Sequence, residues 1–128
     1  MTATTSLKPS VTNISPQDFH QLSNSPLLID VRSQFEYVRG HAKGAINLSL
    51  PRILMAQNAY LRQLIVPKWF RDLPKDKPIA VICLTAHRSP IAANSLLKMG
   101  FTQVLNVTGG MSQWWQLDYP NVTGNKSE

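Results

Sequence analysis

Short, predominantly apolar runs alternate along this chain with segments whose apolar positions recur every three or four residues. The runs are Leu27-Leu28-Ile29-Asp30-Val31, Ile79-Ala80-Val81-Ile82 and Val104-Leu105-Asn106-Val107, with Ala45-Ile46-Asn47-Leu48 as a further candidate. Strands of a parallel sheet covered on both faces have this composition. Helix signals lie between them. Ser15-Pro16-Gln17-Asp18 offers an N-cap, a first-turn proline and an early acid, with Phe19 and Leu22 following on one face. Ser33 to Glu36 has the form of a capping box, and Gly40 is placed to end the short helix it opens. Ser89-Pro90 opens a third helix, with Ile91, Ala92, Ser95, Leu96 and Met99 at helical spacing and Gly100 at its end. Gly109-Gly110 reads as a turn, and Ser112 to Leu117 as a short last helix. Between Leu50 and Pro78 two apolar patches, Leu61/Leu64/Ile65 and Trp69/Phe70/Leu73, predict one or two helices separated at Val66-Pro67. Alternation of strand and helix predicts an α/β domain, a parallel sheet flanked by helices.

A chain of 128 residues, 43% hydrophobic, is the size of one domain with a core of its own. The expected organisation is a flexible segment over 1–10, the domain over 11–120 and a mobile polar tail over 121–128. One cysteine forms no intramolecular disulfide. The first residues lack the apolar stretch of a signal peptide, and no segment approaches the length of a membrane span. These features make a cytoplasmic protein with no membrane association the expectation. The formal net charge of +6 raises nucleic acid as a partner. The pattern argues against it: Lys68, Arg71, Lys75 and Lys77 are interrupted by Asp72 and Asp76, and no aromatic platform is interleaved with them.

Cys83 sits where the run Ile79 to Ile82 gives way to Leu84-Thr85-Ala86-His87-Arg88-Ser89-Pro90. Its thiol is thereby expected at the carboxyl end of a strand, facing a helix amino terminus. Ligands of open α/β sheets bind there, and unpaired N–H groups at a helix start favour anions, thiolate included. A buried, inert cysteine fits the same position equally well.

Three segments resemble the rhodanese family of sulfurtransferases. The first is Leu28-Ile29-Asp30-Val31-Arg32, with Phe35-Glu36-Tyr37 and Gly40-His41-Ala42-Lys43-Gly44-Ala45-Ile46-Asn47. The second is Cys83-Leu84-Thr85-Ala86-His87-Arg88-Ser89, similar to the family's active-site loop. The third is Gly100-Phe101-Thr102-Gln103-Val104 with Gly109-Gly110-Met111 and Trp114. Together they span about residues 11 to 118, in the family's order and spacing.

The resemblance implies a three-layer domain with a five-stranded, mostly parallel sheet and no metal or organic cofactor; a monomer is the expected state. It implies that Cys83 takes a sulfane sulfur from a small anionic donor, thiosulfate or a persulfide, and holds it as a persulfide. The sulfur then passes to cyanide, an external thiol or a partner protein. Backbone N–H groups from Leu84, Thr85, Ala86, His87, Arg88 and Ser89 would surround the sulfur, and Arg88 would hold the loop or pair with the donor anion. Asp30 and Arg32 are expected as scaffold beside the site. His41 is expected to be structural, His87 exposed, Trp114 in the core and Trp115 at its rim. Four residues separate Cys83 from Arg88, where related phosphatases and arsenate reductases enclose five, which favours sulfur over a tetrahedral oxyanion. The loop also lacks the cation that often follows the cysteine in this family, so a persulfide or protein donor competes with thiosulfate as the physiological one. The alternative is a binding or sulfur-carrier module that keeps the fold without turnover.

Overall fold

The order in which strands and helices follow one another is that of a computed structural model describing residues 9–23, 25–85 and 87–126. The chain runs β1 (Val11–Ile14), α1 (Pro16–His20), β2 (Leu27–Asp30), α2 (Gln34–Arg39), β3 (His41–Ala42) and β4 (Ile46–Asn47). Then come α3 (Leu50–Met55), α4 (Ala59–Ile65), α5 (Lys68–Arg71), β5 (Ile79–Ile82), α6 (Ser89–Lys98), β6 (Val104–Val107), α7 (Gly110–Gln116) and β7 (Asn121–Val122). Five strands form one sheet in the order β1-β6-β5-β2-β4, every pair parallel. The apolar runs thus lie at its centre, as their composition demands.

Sheet parity decides which side chain goes where. Ile29, Val31, Ile79, Val81, Cys83 and Val104 belong to one apolar cluster, with Ala92, Ala93 and Leu96 of α6. Leu28, Ala80, Ile82 and Val107 belong to the other, with Tyr37 of α2 and Met111 and Trp114 of α7. Residues alternate between faces with period two. Cys83 continues the parity of Ile79 and Val81, so its thiol falls on the α6 side.

The caps explain the helix starts. Ser15 accepts from the Asp18 N–H, and Ser33 and Glu36 close both halves of the capping box. Gly100, at φ +106°, ends the turn after α6 in a conformation that favours glycine.

Four details differ from the sequence reading. The stretch from Leu50 to Pro78 holds three short helices rather than one or two, because Asn58 supplies an additional cap, accepting from the Tyr60 and Leu61 N–H groups. The edge strand β1 was not legible, since its residues are only partly buried. The last helix begins at Gly110 rather than Ser112, because the N–H groups of Met111 and Ser112 are taken by carbonyls of the cysteine loop. Finally, residues 121–126, expected as part of a mobile tail, carry specific pairings. β7 joins β3 in a small antiparallel sheet, Gly124 N–H donates to Val38 O, and the Lys126 carbonyl lies 2.7 Å from His41 Nε2. Residues 121–126 enter these contacts through backbone groups, to which side-chain polarity is blind.

Candidate active site

Past the end of β5 the chain turns tightly into α6. Cys83 is buried, Leu84 and Arg88 are half-buried, Thr85 and His87 are exposed, and Ser89 is buried. Ala86, expected among the loop donors, lies outside the described residues. The Ser89 N–H donates to Cys83 Sγ at 3.3 Å, and Sγ and Ser89 Oγ are 3.4 Å apart. The helix start therefore meets the sulfur, as the sequence placed it. An N–H aimed at sulfur stabilises its anionic forms.

The outer side of the loop is held by α7. Met111 and Ser112 donate their N–H groups to the carbonyls of Cys83 and Leu84 at 2.7 and 2.9 Å. A Cβ on Gly110, itself at φ +56°, would collide with those same carbonyls. Only glycine lets the helix backbone approach the loop this closely. The function of the Gly109-Gly110 pair is thus a contact with the cysteine loop as well as a turn.

Arg88 is taken up by Glu36. Its Nη1 lies 2.7 Å from Glu36 Oε1 and its Nη2 2.9 Å from Oε2, a two-bond pairing of guanidinium with carboxylate. The hydrogen bonds from Arg88 are the main reason the Glu36 carboxyl is pulled down from 4.5 to about 2. The same pairing raises the already high value of Arg88. From sequence Glu36 is half of a capping box and part of the first family-like segment, with no partner in the cysteine loop expected. It both caps α2 and holds Arg88, since Oε1 also accepts from the Ser33 N–H and hydroxyl.

Asp30 and Arg32 are brought together beside the loop on the α2 face. Arg32 donates to both carboxylate oxygens from Nε and Nη2, at 2.8 to 3.2 Å, and the Arg32 N–H adds a further bond. Arg32 Nη2 also holds Gly40 O at 2.6 Å, tying the end of α2 to the end of β2. Both residues are almost wholly buried, so pairing and hydrogen bonding are what make their burial tolerable. Next to them Tyr37 stays protonated, raised to about 12 by burial and by the charge of Asp30, and donates to Ala45 O. His41 is fully buried and stacks on the Tyr37 ring at 3.6 Å.

A cleft of about 310 Å³ opens beside this scaffold, lined by Arg32, Phe35, Glu36, Arg39, Gly40, Leu84 and Trp115. Leu84, the residue after the cysteine, connects it to the loop. Phe35 is 68% exposed and Trp115 42%, while Trp114 is buried in the core and donates to Pro120 O. A larger cleft, about 750 Å³, lies beside β4 between Asn47, Arg52, Trp69 and Lys126, and none of the described residues from Cys83 to Ser89 lines it. Residues 15–117 match the family model of the rhodanese-like domain. The chain belongs to the rhodanese-like sulfurtransferase family. Among curated proteins, this rhodanese is similar to thiosulfate sulfurtransferase GlpE of Stutzerimonas stutzeri, 30% identical over 84% of this chain and 87% of that one. It is also 32% identical to tRNA uridine(34) hydroxylase of Nitrobacter winogradskyi over 79% of this chain, which spans only 38% of that longer protein. Among solved structures, a rhodanese-related protein of Thermoplasma volcanium superposes with a TM-score of 0.67, at 29% identity, over 88% of this chain and 99% of that one. No helix among the described residues is long and apolar enough to cross a membrane.

Proposed function

We propose that this rhodanese moves sulfane sulfur through a persulfide on Cys83. The observation that carries the reading is the thiol itself, placed by sheet parity at the amino end of α6 with the Ser89 N–H on its sulfur. In the thiolate form Cys83 attacks the outer sulfur of a donor, a new S–S bond forms, and the donor's own bond to that sulfur breaks with its electron pair. From thiosulfate the leaving group is sulfite. An acceptor thiolate or cyanide then attacks the terminal sulfur, and the Cys83 thiolate leaves. The chain has a single cysteine, so the acceptor is a separate molecule.

The donor we favour is a persulfide, small or protein-borne, over thiosulfate. Two features support this. No lysine or arginine stands between Cys83 and Arg88, and the guanidinium of Arg88 is already neutralised by Glu36. A dianion entering the loop meets backbone donors and a compensated arginine. In this reading Arg88 holds the loop to α2 and Asp30 with Arg32 is its scaffold. The cleft beside Leu84, with its exposed Phe35 and Trp115, offers apolar surface to the donor's or acceptor's remaining part.

Intact-mass spectrometry tests the proposal. The purified protein should gain the mass of one sulfur with a low-molecular-weight persulfide and more slowly with thiosulfate, and Cys83→Ser should gain none. An adduct surviving in Cys83→Ser, or no adduct with any donor, would reject the persulfide.

A further inference from the structure

Asn106 is a buried amide in an otherwise apolar strand, 4% exposed, and it points to the α6 side because it shares the parity of Val104. A buried amide is costly unless it is hydrogen-bonded. Asn106 is paired at both ends. Its Nδ2 donates to Oδ1 of Asn13 at 3.0 Å, across the β1–β6 register that sets these residues side by side. Its Oδ1 accepts from the Ser89 hydroxyl at 2.5 Å. The first bond fixes the second: with the amide nitrogen turned to Asn13, only the oxygen faces Ser89.

A serine hydroxyl has one proton to give. That proton is on the short bond to Asn106, so what Ser89 Oγ presents to Cys83 Sγ, 3.4 Å away, is a lone pair. A lone pair accepts from S–H and repels a sulfur anion. The Ser89 N–H does the opposite to the same sulfur.

We propose that Asn106, oriented by Asn13, is a positioning residue that withholds the Ser89 hydroxyl proton from Cys83 and so favours the neutral thiol in the resting protein. Neutral thiol is the form that resists oxidants and alkylating agents. The relay therefore restrains the very nucleophile that the helix start activates, and Asn106 sets the balance between them.

The inference rests on Cys83 as the nucleophile proposed above, but its test needs no sulfur donor, so failure of sulfur transfer and failure of the relay are separate results. The rate of alkylation of Cys83 by iodoacetamide is measured against pH in wild type, Asn106→Leu and Ser89→Ala, with folding followed by circular dichroism. The charged and titratable groups on the elements around the thiol include Asp30 at the end of β2 and Arg32 after it, Glu36, Tyr37 and Arg39 on α2, Arg52 on α3, Lys98 on α6, and His87 and Arg88 on the loop. All remain in the variants, so the difference reads the relay. Asn106→Leu gives the hydroxyl back to the sulfur, and the midpoint of the profile should fall by about one pH unit, the size of effect a hydrogen bond to one protonation state carries. Ser89→Ala removes the lone pair, and the midpoint should fall by less. Should Asn106→Leu not fold, Ser89→Ala decides alone. An unchanged or raised midpoint in Ser89→Ala would mean that the hydroxyl serves the thiolate, and would overturn the proposal, as would an unchanged profile in a folded Asn106→Leu.

Discussion

Glu36 on α2 and Arg88 at the mouth of α6, 52 residues apart in sequence, meet in a two-bond ion pair at 2.7 and 2.9 Å. One residue caps a helix on one side of the sheet, the other ends the cysteine loop, and the pair joins the two. Arg88 is thereby committed before any donor arrives. Loop stability and pH response and, under the proposed function, donor preference should depend on this one contact.

Its pH dependence has a definite sign. The Glu36 carboxyl is lowered from 4.5 to about 2 in the folded protein, chiefly by its hydrogen bonds from Arg88. A carboxyl lowered on folding stabilises the folded state above its unfolded value, and that stability is lost as pH falls toward the folded value. The window is therefore about pH 4.5 down to about 2. Both side chains are roughly a third exposed, so screening keeps the contribution near 1 kcal/mol rather than the larger figure a buried pair would give. Urea unfolding of wild type and Glu36→Gln at several pH values should show a difference near neutrality that disappears toward pH 2.

The same substitution releases the guanidinium. Glu36→Gln should lower the thiosulfate KM severalfold, because Arg88 becomes a permanent, uncompensated cation beside the loop. Arg88→Ala should lose thiosulfate turnover far more than Thr85→Ala, whose side chain is exposed. Steady-state kinetics on the three variants decides the matter. An unchanged KM in Glu36→Gln would show that Arg88 never meets the donor.

Leu84→Arg examines the neutral position directly. Leu84 is half-buried and lines the cleft with Arg32, Arg39 and Trp115. A cation there should lower the thiosulfate KM, by an interaction on the order of 1 kcal/mol at a partly desolvated site. The gain should shrink between low and high salt, since exposed charges are screened over about 10 Å at 0.1 M. A gain that ignores salt would mean that the new side chain acts through packing.

Local structure around the candidate site was legible in the sequence where residue type and periodicity carry it. Cys83 at a strand end, the capping box of Ser33 and Glu36, and Gly109-Gly110 all mark places where only a few residue types will do. What escaped was carried by contacts between distant segments. Nothing local in Glu36 says that its carboxylate reaches Arg88, and β1 could not be told from a loop because an edge strand buries little. Asn106 left a weaker trace. A polar residue inside an apolar strand needs partners, and the fold supplies two from distant segments, the Ser89 hydroxyl and Asn13 Oδ1.

The Asp30 and Arg32 pair separates scaffold from chemistry. With both groups buried, removing one leaves the other charged and unpaired, which in other proteins costs roughly 3–5 kcal/mol. Asp30→Ala should therefore be strongly destabilised in thermal unfolding. Arg32→Met should lose less than Asp30→Ala if the Asp30 carboxylate keeps the Arg32 N–H bond. Where either variant still folds, its sulfur loading of Cys83 should approach wild type. Loss of loading in a variant of near-normal stability would promote the pair from scaffold to site.

Gly110→Ala tests the contact between α7 and the loop. The added methyl would meet the carbonyls of Cys83 and Leu84, and the residue would also be held at φ +56°, where an L side chain is strained. Overpacking alone costs about 1–3 kcal/mol, and the backbone strain adds to it. The α7 N–H groups that now hold both carbonyls would have to withdraw, leaving the loop peptides at Cys83 and Leu84 to turn. Turning those peptides moves the N–H groups on the thiol side of the loop as well, so alkylation of Cys83 at pH 7 and sulfur loading should both change along with stability. Gly44→Ala is the control. Gly44 has a positive φ of +91° but nothing near its Cβ, so it should show the backbone cost without the loop effect. Equal loss of Cys83 reactivity in the two variants would show that general destabilisation, rather than the α7 contact, governs the loop.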